Sequence, residues 1–135
     1  MQDNLSFVRH LALKVVMMPR DTNPHGTVFG GVILSYIDQA GAVGAYHEIR
    51  RIGISQKQLV TVGMKSVEFH RPVFVGDVLS FWTKLTRLGT TSITISVEVE
   101  AERDGIPEKL TEAEVSYVAV AWFDETRSPV PIKDQ

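Results

Sequence analysis

The first regular segment of the chain alternates apolar residues with others. From Leu11 to Met17 every odd position is apolar, and this period of two predicts a β-strand. Pro19 has no amide hydrogen to give to a neighbouring strand, so we expect the strand to end before it. A polar, glycine-containing loop then occupies residues 21–31. After this loop the pattern changes from that of a strand to that of a helix.

The helical segment is almost free of charge. Residues 31–46 read GVILSYIDQAGAVGAY and carry one charged residue, Asp38. A run of this length and composition predicts a buried α-helix, which we place from about Gly30 to Arg51. Glycine inside a helix costs about 1 kcal/mol relative to alanine. Gly41 and Gly44 therefore indicate a smooth helix face in close contact with a sheet.

The chain after Gln58 has the pattern of strands. We predict four of them, beginning near Val60, over Val78–Leu88, over about Ile93–Ala101 and from about Leu110 to Phe123. The apolar face changes parity at Lys65-Ser66, which predicts a β-bulge. Asp104-Gly105 predicts a tight hairpin. From about residue 125, with Pro129 and Pro131, we expect a loose C-terminal tail.

The order of the elements predicts the fold class. A strand, a long helix and four further strands indicate an α+β fold, in which one helix lies on one face of a five-stranded antiparallel sheet. The small-residue face of the helix suggests that the sheet is strongly curved and wraps around it. The length of 135 residues is that of one domain, so we expect residues 1–135 to form a single domain.

Composition excludes several classes of protein. The chain has no cysteine, which excludes a disulfide scaffold, a thiolate metal site and a cysteine nucleophile. A formal net charge of -2 argues against a nucleic-acid partner. No stretch reaches the ~18 apolar residues of a membrane helix, and the N-terminus lacks the basic start of a secretory signal. We therefore expect a cytoplasmic protein with no membrane partner.

Asp38 is the most informative residue of the sequence. A buried carboxylate without a partner costs on the order of several kcal/mol, and such groups are concentrated at functional sites. The loop DTNPHGTVFGG at residues 21–31 leads directly into the helix that carries Asp38. Loop and helix together therefore predict a site.

The same segment carries a family resemblance. Residues 21–41, DTNPHGTVFGGVILSYIDQAG, resemble the signature of the hotdog-fold acyl-CoA thioesterases, and most closely the subgroup of bacterial broad-range and mammalian cytosolic acyl-CoA hydrolases. The similarity extends from about Leu11 to Phe123 and includes Val60-Thr61-Val62, Phe69-x-x-Pro72, Val75-Gly76-Asp77 and Leu88-Gly89. It implies a hotdog fold and a hydrolase of fatty acid metabolism that cleaves acyl-CoA thioesters to free acid and coenzyme A. No metal or redox cofactor is implied.

The resemblance also implies catalytic roles. Asp38 matches the helical catalytic carboxylate, acting either as a general base on water or as a nucleophile. Asn23 matches the loop asparagine that places the water or the thioester. The amide of Gly30 or of Gly31 would polarise the thioester carbonyl, because an amide at a helix N-terminus is a good donor to a developing oxyanion.

Coenzyme A is highly anionic and needs donors and cations. Arg71 matches a basic position of the family, and Thr61 either contacts the ligand or fills the sheet. The polar triplet Thr90, Thr91 and Ser92 follows Gly89, where relatives usually place a basic residue first. Further candidate cations are Arg50, Arg51, Lys57 and Lys65. The histidines lack the spacing of a metal site, so we expect no metal.

A length argument predicts an oligomer. Gly30 and Asp38 are eight residues apart, which is roughly 12 Å along a helix at 1.5 Å per residue. One thioester carbon cannot lie close to both within one chain. Two antiparallel helices related by a two-fold axis would bring Asp38 of one protomer toward Gly30 of the other. We therefore expect a homodimer with two interface sites, each using Asn23 and Asp38 from different chains. Related enzymes assemble further into tetramers or hexamers.

Two alternatives stay open at this point. One is a hotdog dehydratase acting on hydroxyacyl carriers, which would pair His25 with the helical acid. The other is a protein that binds acyl-CoA without cleaving it. The preferred acyl chain and the choice between tetramer and hexamer are left undetermined by the sequence.

Overall fold

The computed structural model describes residues 8–134. The chain forms strand β1 (His10–Val16), a short 3-10 helix (Pro19–Asp21), helix α1 (Gly30–Ile52) and strands β2 (Gln58–Phe69), β3 (Val78–Leu88), β4 (Ser92–Arg103), β5 (Ile106–Phe123) and β6 (Thr126–Pro129). The sheet is antiparallel, with the order β1-β3-β4-β5-β2, and β6 pairs with β5. Helix α1 lies on one face of this curved sheet, which confirms the predicted α+β class.

The hydrophobic core lies between α1 and the sheet. From Ile95 to Ala101 in β4 and from Thr111 to Ala119 in β5, every second side chain is buried, while the residues between them are partly exposed. The fully buried side chains of the helix and the sheet include Ile33, Ile37, Ile49, Phe81, Ile93, Ile95 and Tyr117. Each large apolar side chain buried in this way stabilises the fold by about 1.5–3 kcal/mol.

Two glycines allow the helix to approach the sheet closely. A β-carbon on Gly44 would lie 2.7 Å from Cβ of Thr83, and one on Gly41 would overlap the hydroxyl of Tyr117. Neither position can therefore hold a β-carbon unless the neighbouring side chain moves. The predicted close contact between a small-residue helix face and the sheet is therefore confirmed.

The C-terminal part of α1 contains a buried acid beside two stacked histidines. Glu48 is 2% exposed, and its carboxylate accepts a hydrogen bond of 2.8 Å from Nε of Arg51. Nε2 of His47 lies 4.0 Å from the same carboxylate. The ring of His10, from β1, stacks on that of His47 with 3.8 Å between the ring centroids. This group ties the end of the helix to the edge strand β1.

Both predicted backbone irregularities are present. The register of β2 against β5 shifts between Lys65 and Glu68, and Ser66 has a φ of 56°. Asp104 and Gly105 have φ values of 53° and 78°, as a tight hairpin turn requires. A second shift in β2, between Thr61 and Gly63, was not predicted.

The expected loose tail is wrong. β6 pairs with the end of β5, so the sheet has six strands rather than five. Beyond it, the amide of Ile132 donates to the carbonyl of Thr90 at 2.9 Å, and Ile132 is fully buried. Asp134 accepts hydrogen bonds from Ser55 and Lys57. The prolines misled the interpretation because proline is tolerated on an edge strand, where its missing amide hydrogen need not face a neighbour.

Strand β2 forms one edge of the sheet. Within residues 8–134 its only strand partner is β5, so its outer side has no ladder. Val62 and Phe69 on this strand are 58% and 53% exposed. A long edge strand with exposed apolar side chains is a surface that other chains can cover.

No helix within residues 8–134, α1 included, is both long enough and apolar enough to span a membrane.

Candidate active site

The loop before α1 is held by Asp21. This residue is 7% exposed, and its Oδ2 accepts a hydrogen bond of 2.8 Å from the amide of Met18. Its carbonyl accepts another, of 3.0 Å, from the amide of Phe29 at the start of the helix. The carboxylate is therefore occupied by the backbone, and Asp21 fixes the entry of the chain into α1.

Asn23 folds the tip of the same loop. Its Oδ1 accepts from the amides of His25 at 2.9 Å and Thr27 at 3.2 Å, which is the geometry of an Asx turn. Its Nδ2 donates to Oγ1 of Thr27 at 2.8 Å. One amide hydrogen of Asn23 is left over after these bonds. The structural role of the turn and a role toward a ligand are therefore compatible.

The first turn of α1 presents two free amide groups. Phe29 caps the helix without a side-chain hydrogen bond, and its carbonyl accepts from the amides of Val32 and Ile33. The amides of Gly30 and Gly31 have no hydrogen-bond partner within residues 8–134. Such unpaired donors, reinforced by the helix dipole, suit a negatively charged or polarised oxygen.

A pocket of about 350 Å³ adjoins these amides. It is lined by Thr27, Val28, Gly30, Ile33, Phe69, His70, Arg71, Pro72 and Val73. The ring of Phe69 lies over Gly30, where a β-carbon would be 3.3 Å from Cζ. Arg71 is mostly exposed, and its Nε is 3.8 Å from the carboxylate of Glu108. The pocket thus combines the N-terminus of a helix with a cation.

Asp38 lies farther along α1, half-buried against the sheet. Its Oδ1 accepts a hydrogen bond from Oγ1 of Thr61 at 2.8 Å. The single hydroxyl hydrogen of Tyr117 is shared between two acceptors on Asp38, the main-chain carbonyl at 2.7 Å and Oδ1 at 3.2 Å. Oδ2 has no hydrogen-bond partner among the described residues. The carboxylate is therefore held through one oxygen and open at the other.

Sequence reasoning missed Tyr117. It lies within the last predicted strand, from about Leu110 to Phe123, where nothing marked it as a site residue, and it is 1% exposed. Burial, together with the neighbouring Asp38 carboxylate, raises the pKa of Tyr117 far above its usual value. The hydroxyl therefore stays protonated and acts as a donor. A polar hydroxyl on the buried face of a strand was the one signal that could have pointed to it.

One protomer does not bring the whole predicted site together. Within residues 8–134 no hydrogen bond links Asn23 to Asp38. Gly30 and Asp38 lie on the same helix, eight residues apart. Asp38 is hydrogen-bonded to Thr61, whereas Gly30 and Arg71 line a pocket that does not include Asp38.

The polar triplet Thr90, Thr91 and Ser92 lies at another end of the molecule. The carbonyl of Thr91 accepts from the amide of Ala119, whereas the β2 end beside Arg71 pairs with Thr111. Eight residues of β5 separate these two points, which is roughly 26 Å at 3.3 Å per residue. Thr90 lines a different cavity, of about 390 Å³, with Lys133 and Pro131. The residues predicted to bind coenzyme A are therefore not gathered within one protomer.

The further candidate cations have partners in the protein or are exposed. Lys57 forms an ion pair of 2.6 Å with Asp134, Lys65 lies 3.6 Å from Glu114, Arg51 pairs with Glu48, and Arg50 is exposed. His25 is exposed at the loop tip. None of these side chains lines the pocket beside Gly30.

The outer face of the sheet carries a cluster that sequence reasoning did not expect. Glu68, His70 and Glu112 have potential ligand atoms within 4.8 Å of one another. Nε2 of His70 is 2.7 Å from Glu112, and Nζ of Lys109 is 3.2 Å from it. The hydrogen bond with His70, and then that with Lys109, lower the pKa of Glu112. The cross-strand pairing of Glu68 with Glu112, which sequence spacing could not supply, creates the cluster.

Comparison with known proteins identifies relatives of the whole chain. Residues 25–108 match the family model described as the thioesterase superfamily. The acyl-CoA thioester hydrolase YciA of Salmonella typhimurium is 38% identical over an alignment of 128 positions, and the match covers 91% of this chain and 91% of that protein. The crystal structure of Cj0915, a hexameric hotdog-fold thioesterase of Campylobacter jejuni, has a TM-score of 0.76 and 41% identity, and the match covers 91% of this chain and 90% of that one.

A third relative has been solved with ligands. The acyl-CoA hydrolase of Staphylococcus aureus, in complex with butyryl coenzyme A, coenzyme A and coenzyme A disulfide, has a TM-score of 0.76 and 26% identity over 93% of this chain and 71% of that one. Structures of that hydrolase have also been determined with an aspartate, an asparagine or a threonine replaced by alanine.

Proposed function

Since the chain belongs to the thioesterase superfamily of hotdog-fold proteins, we propose that it hydrolyses acyl-CoA thioesters to a free carboxylic acid and coenzyme A. The observation that carries the proposal is the Asp38 carboxylate, which two hydroxyl groups hold through Oδ1 while Oδ2 stays open. The free amides of Gly30 and Gly31 beside a cationic pocket support it.

The variants made in the Staphylococcus aureus hydrolase support the choice of residues. The replaced asparagine and aspartate of that protein stand fifteen positions apart. Asn23 and Asp38 have the same separation. An aspartate and an asparagine with this spacing are also the two side chains to which the sequence resemblance assigned catalysis.

The proposed reaction needs only water, the substrate and this chain. An amide of Gly30 or Gly31 donates to the thioester oxygen, which stabilises the negative charge that develops there. Asp38 either takes a proton from the attacking water or attacks the carbonyl carbon itself, with water cleaving the resulting anhydride. In both routes the carbon–sulfur bond breaks and the thiolate of coenzyme A leaves. We retain the expectation that no metal or redox cofactor takes part.

The active form in this proposal is a homodimer. Gly30 and Asp38 are too far apart on one helix, and a second protomer would supply the missing half of each site. The unpaired edge of β2 supports this, because Thr61, Val62 and Phe69 lie on the strand that a second copy would cover. We propose that three such dimers form a hexamer, as the Campylobacter jejuni thioesterase is hexameric.

Substrate binding in the dimer would combine residues that one protomer keeps apart. Arg71 lies in the pocket beside Gly30 and is our first candidate for the phosphates of coenzyme A. The triplet Thr90, Thr91 and Ser92 would reach the ligand only from a neighbouring copy. No nucleic acid or membrane is part of the proposal, and a cytoplasmic location stays a prediction.

The test is thiol release by an Asp38→Asn variant. We expect kcat to fall by about 10²–10⁴-fold, the range attributed to a positioned base, with an unchanged circular dichroism spectrum. Asp104→Asn, the same chemical change in an exposed turn that tolerates asparagine, is the matched control. Wild-type thiol release in the Asp38 variant would refute the assignment. A conjugated double bond as product, without free thiol, would instead identify a dehydratase.

A single turnover in ¹⁸O-water tests the covalent route. Label found in the Asp38 carboxylate after the reaction requires that route, because water must then have cleaved an anhydride at the Asp38 carbonyl. Label found only in the released acid shows that water attacked the acyl carbonyl, as it must when Asp38 is a general base.

A further inference from the structure

We propose that Tyr117 is a positioning residue of this site, which together with Thr61 holds Oδ1 of Asp38 and thereby assigns Oδ2 as the oxygen that acts on substrate or water. The inference rests on the proposed hydrolase function. It adds a residue that neither the sequence nor the comparisons single out, and it distinguishes between the two oxygens of one carboxylate.

The two donors come from one cross-strand pair. Thr61 of β2 lies directly opposite Tyr117 of β5 in the antiparallel register. The register of β2 against β5 therefore determines the positions of both hydroxyl groups together. The shift of β2 that follows Thr61 changes the direction of the strand immediately beyond this pair.

The hydroxyl of Tyr117 holds Asp38 at two points. It donates to the main-chain carbonyl at 2.7 Å and lies 3.2 Å from Oδ1. With the bond of 2.8 Å from Thr61, three contacts define both the helix backbone and the side-chain torsions at residue 38. A carboxylate held in this way cannot exchange its two oxygens by rotation without breaking both bonds to Oδ1.

A glycine close to Asp38 lowers the stability of the helix relative to alanine. Gly41 lies one turn after Asp38, and its lack of a side chain makes room for the Tyr117 hydroxyl. A tyrosine that served only to fill the core would not need its hydroxyl aimed at a helix carbonyl and a carboxylate. Phenylalanine would fill the same volume without a polar group to satisfy.

The arrangement has a chemical consequence that can be measured. Loss of the Tyr117 hydroxyl should lower kcat, because the open oxygen of Asp38 is no longer aimed, while KM for the acyl-CoA stays nearly constant. A tyrosine that only filled the core would change the stability of the fold and leave the kcat of the folded enzyme as it is.

The experiment compares Tyr117→Phe with Tyr46→Phe. The Tyr46 hydroxyl accepts a hydrogen bond of 3.1 Å from the amide of Leu59 and does not touch Asp38. Both variants lose a half-buried or buried phenol hydroxyl and one set of hydrogen bonds. We expect kcat to fall about 10- to 100-fold in Tyr117→Phe, as for the loss of a hydrogen bond to a charged group. Tyr46→Phe should keep the wild-type kcat.

Thr61 provides a second, independent test. Thr61→Val removes the other donor to Oδ1 at constant shape, and Thr61→Ser restores a hydroxyl. We expect kcat to fall at constant KM in the valine variant and to recover in the serine variant. These variants test the hold on Oδ1 without replacing a core residue, so they remain decisive for that hold even if Tyr117→Phe does not fold.

The outcomes separate this inference from the proposed function. An inactive Asp38→Asn enzyme together with wild-type kcat in Tyr117→Phe and Thr61→Val would overturn the positioning role and leave the hydrolase in place. A wild-type protein that releases no thiol from any acyl-CoA would overturn the function itself. A lowered kcat in both variants, with unchanged KM, supports the inference.

Discussion

The hydroxyl of Tyr117 occupies the space that a β-carbon on Gly41 would need. The Tyr117 side chain of the sheet meets the backbone of the helix directly at this point. The next glycine on the same helix face, Gly44, has a similar contact with Thr83, which bonds to the carbonyl of His10 and not to the candidate site. A side chain at either glycine would be crowded by the sheet, but only at Gly41 would it disturb a residue that contacts Asp38.

We expect Gly41→Ala to damage catalysis more than stability. The new methyl must displace the Tyr117 hydroxyl, and overpacking of this kind costs about 1–3 kcal/mol, partly offset by about 1 kcal/mol of helix propensity. Gly44→Ala should lose comparable stability but keep its turnover per folded molecule. Thermal unfolding and kcat measured on both variants check this. Equal loss of kcat in the two would mean that crowding alone, and not the position of Asp38, limits the reaction.

A proline at position 30 should separate the two candidate oxyanion donors. Gly30 is the first residue of α1, where proline is accepted, and Phe29 before it has an extended ψ of 136°, as a residue before proline requires. Gly30→Pro removes one amide hydrogen, whereas Gly30→Ala keeps it. If Gly30 is the donor, kcat should fall about 10²–10³-fold in the proline variant relative to the alanine variant. Equal kcat values would assign the role to Gly31.

Arg71→Gln should weaken the binding of coenzyme A specifically. We expect KM for acyl-CoA to rise about 10-fold through loss of a charge-assisted contact to phosphate, with kcat little changed. Acyl thioesters of N-acetylcysteamine, which lack the nucleotide, should show no difference. Arg87→Gln, the same charge change at an exposed position of β3, is the control. A similar rise in KM for both variants would indicate general electrostatics.

Mixed dimers should recover activity if each site uses two chains. Asn23→Ala and Asp38→Ala are each expected to be inactive, and a mixed dimer has one site free of both changes. After equal mixing with subunit exchange, half of the dimers are mixed and half of their sites are intact, so about a quarter of wild-type activity should return. Activity that stays at the level of the separate variants would place both residues in the same protomer's site.

His10 should make the fold less stable in mild acid. Burial, and then the charge of the stacked His47, lower the pKa of His10 below the ordinary histidine value of 6.5, and Arg50 adds to the shift while Glu48 opposes it. As the pH falls below about 6.5, the unfolded chain takes up this proton before the folded one does, so stability decreases. Thermal midpoints between pH 8 and 5 should fall less steeply in His10→Gln. Parallel curves for both proteins would contradict the role of His10.

The sequence predicted those elements whose pattern reports burial directly. β3 has the predicted bounds, Val78–Leu88, and α1 differs from its predicted end by one residue. The tail was misjudged because prolines weaken a strand pattern even where the edge of a sheet tolerates them. Here the deciding information was the pairing of β6 with β5, which no local pattern contains.

The candidate site was predictable only in part for a related reason. Asp38 stood out because it is a single charge in an apolar helix, and the loop motif drew attention to Asn23. The contact between Asp38 and Tyr117 depends on the register of β5 against the helix and on the pairing of Tyr117 with Thr61. Residues 79 positions apart meet there, and periodicity along one strand cannot show which buried residue faces a given helical side chain.

The open edge of β2 makes a dissociated protomer prone to aggregation. A strand of 12 residues that is unpaired along one edge and carries the exposed Val62 and Phe69 is a template on which other extended chains can aggregate. In the proposed dimer this edge is protected only while the copies stay associated. Substitutions that loosen the association should therefore be noticed first as precipitation during expression or after dilution, before any change in the chemistry of the surviving enzyme can be measured.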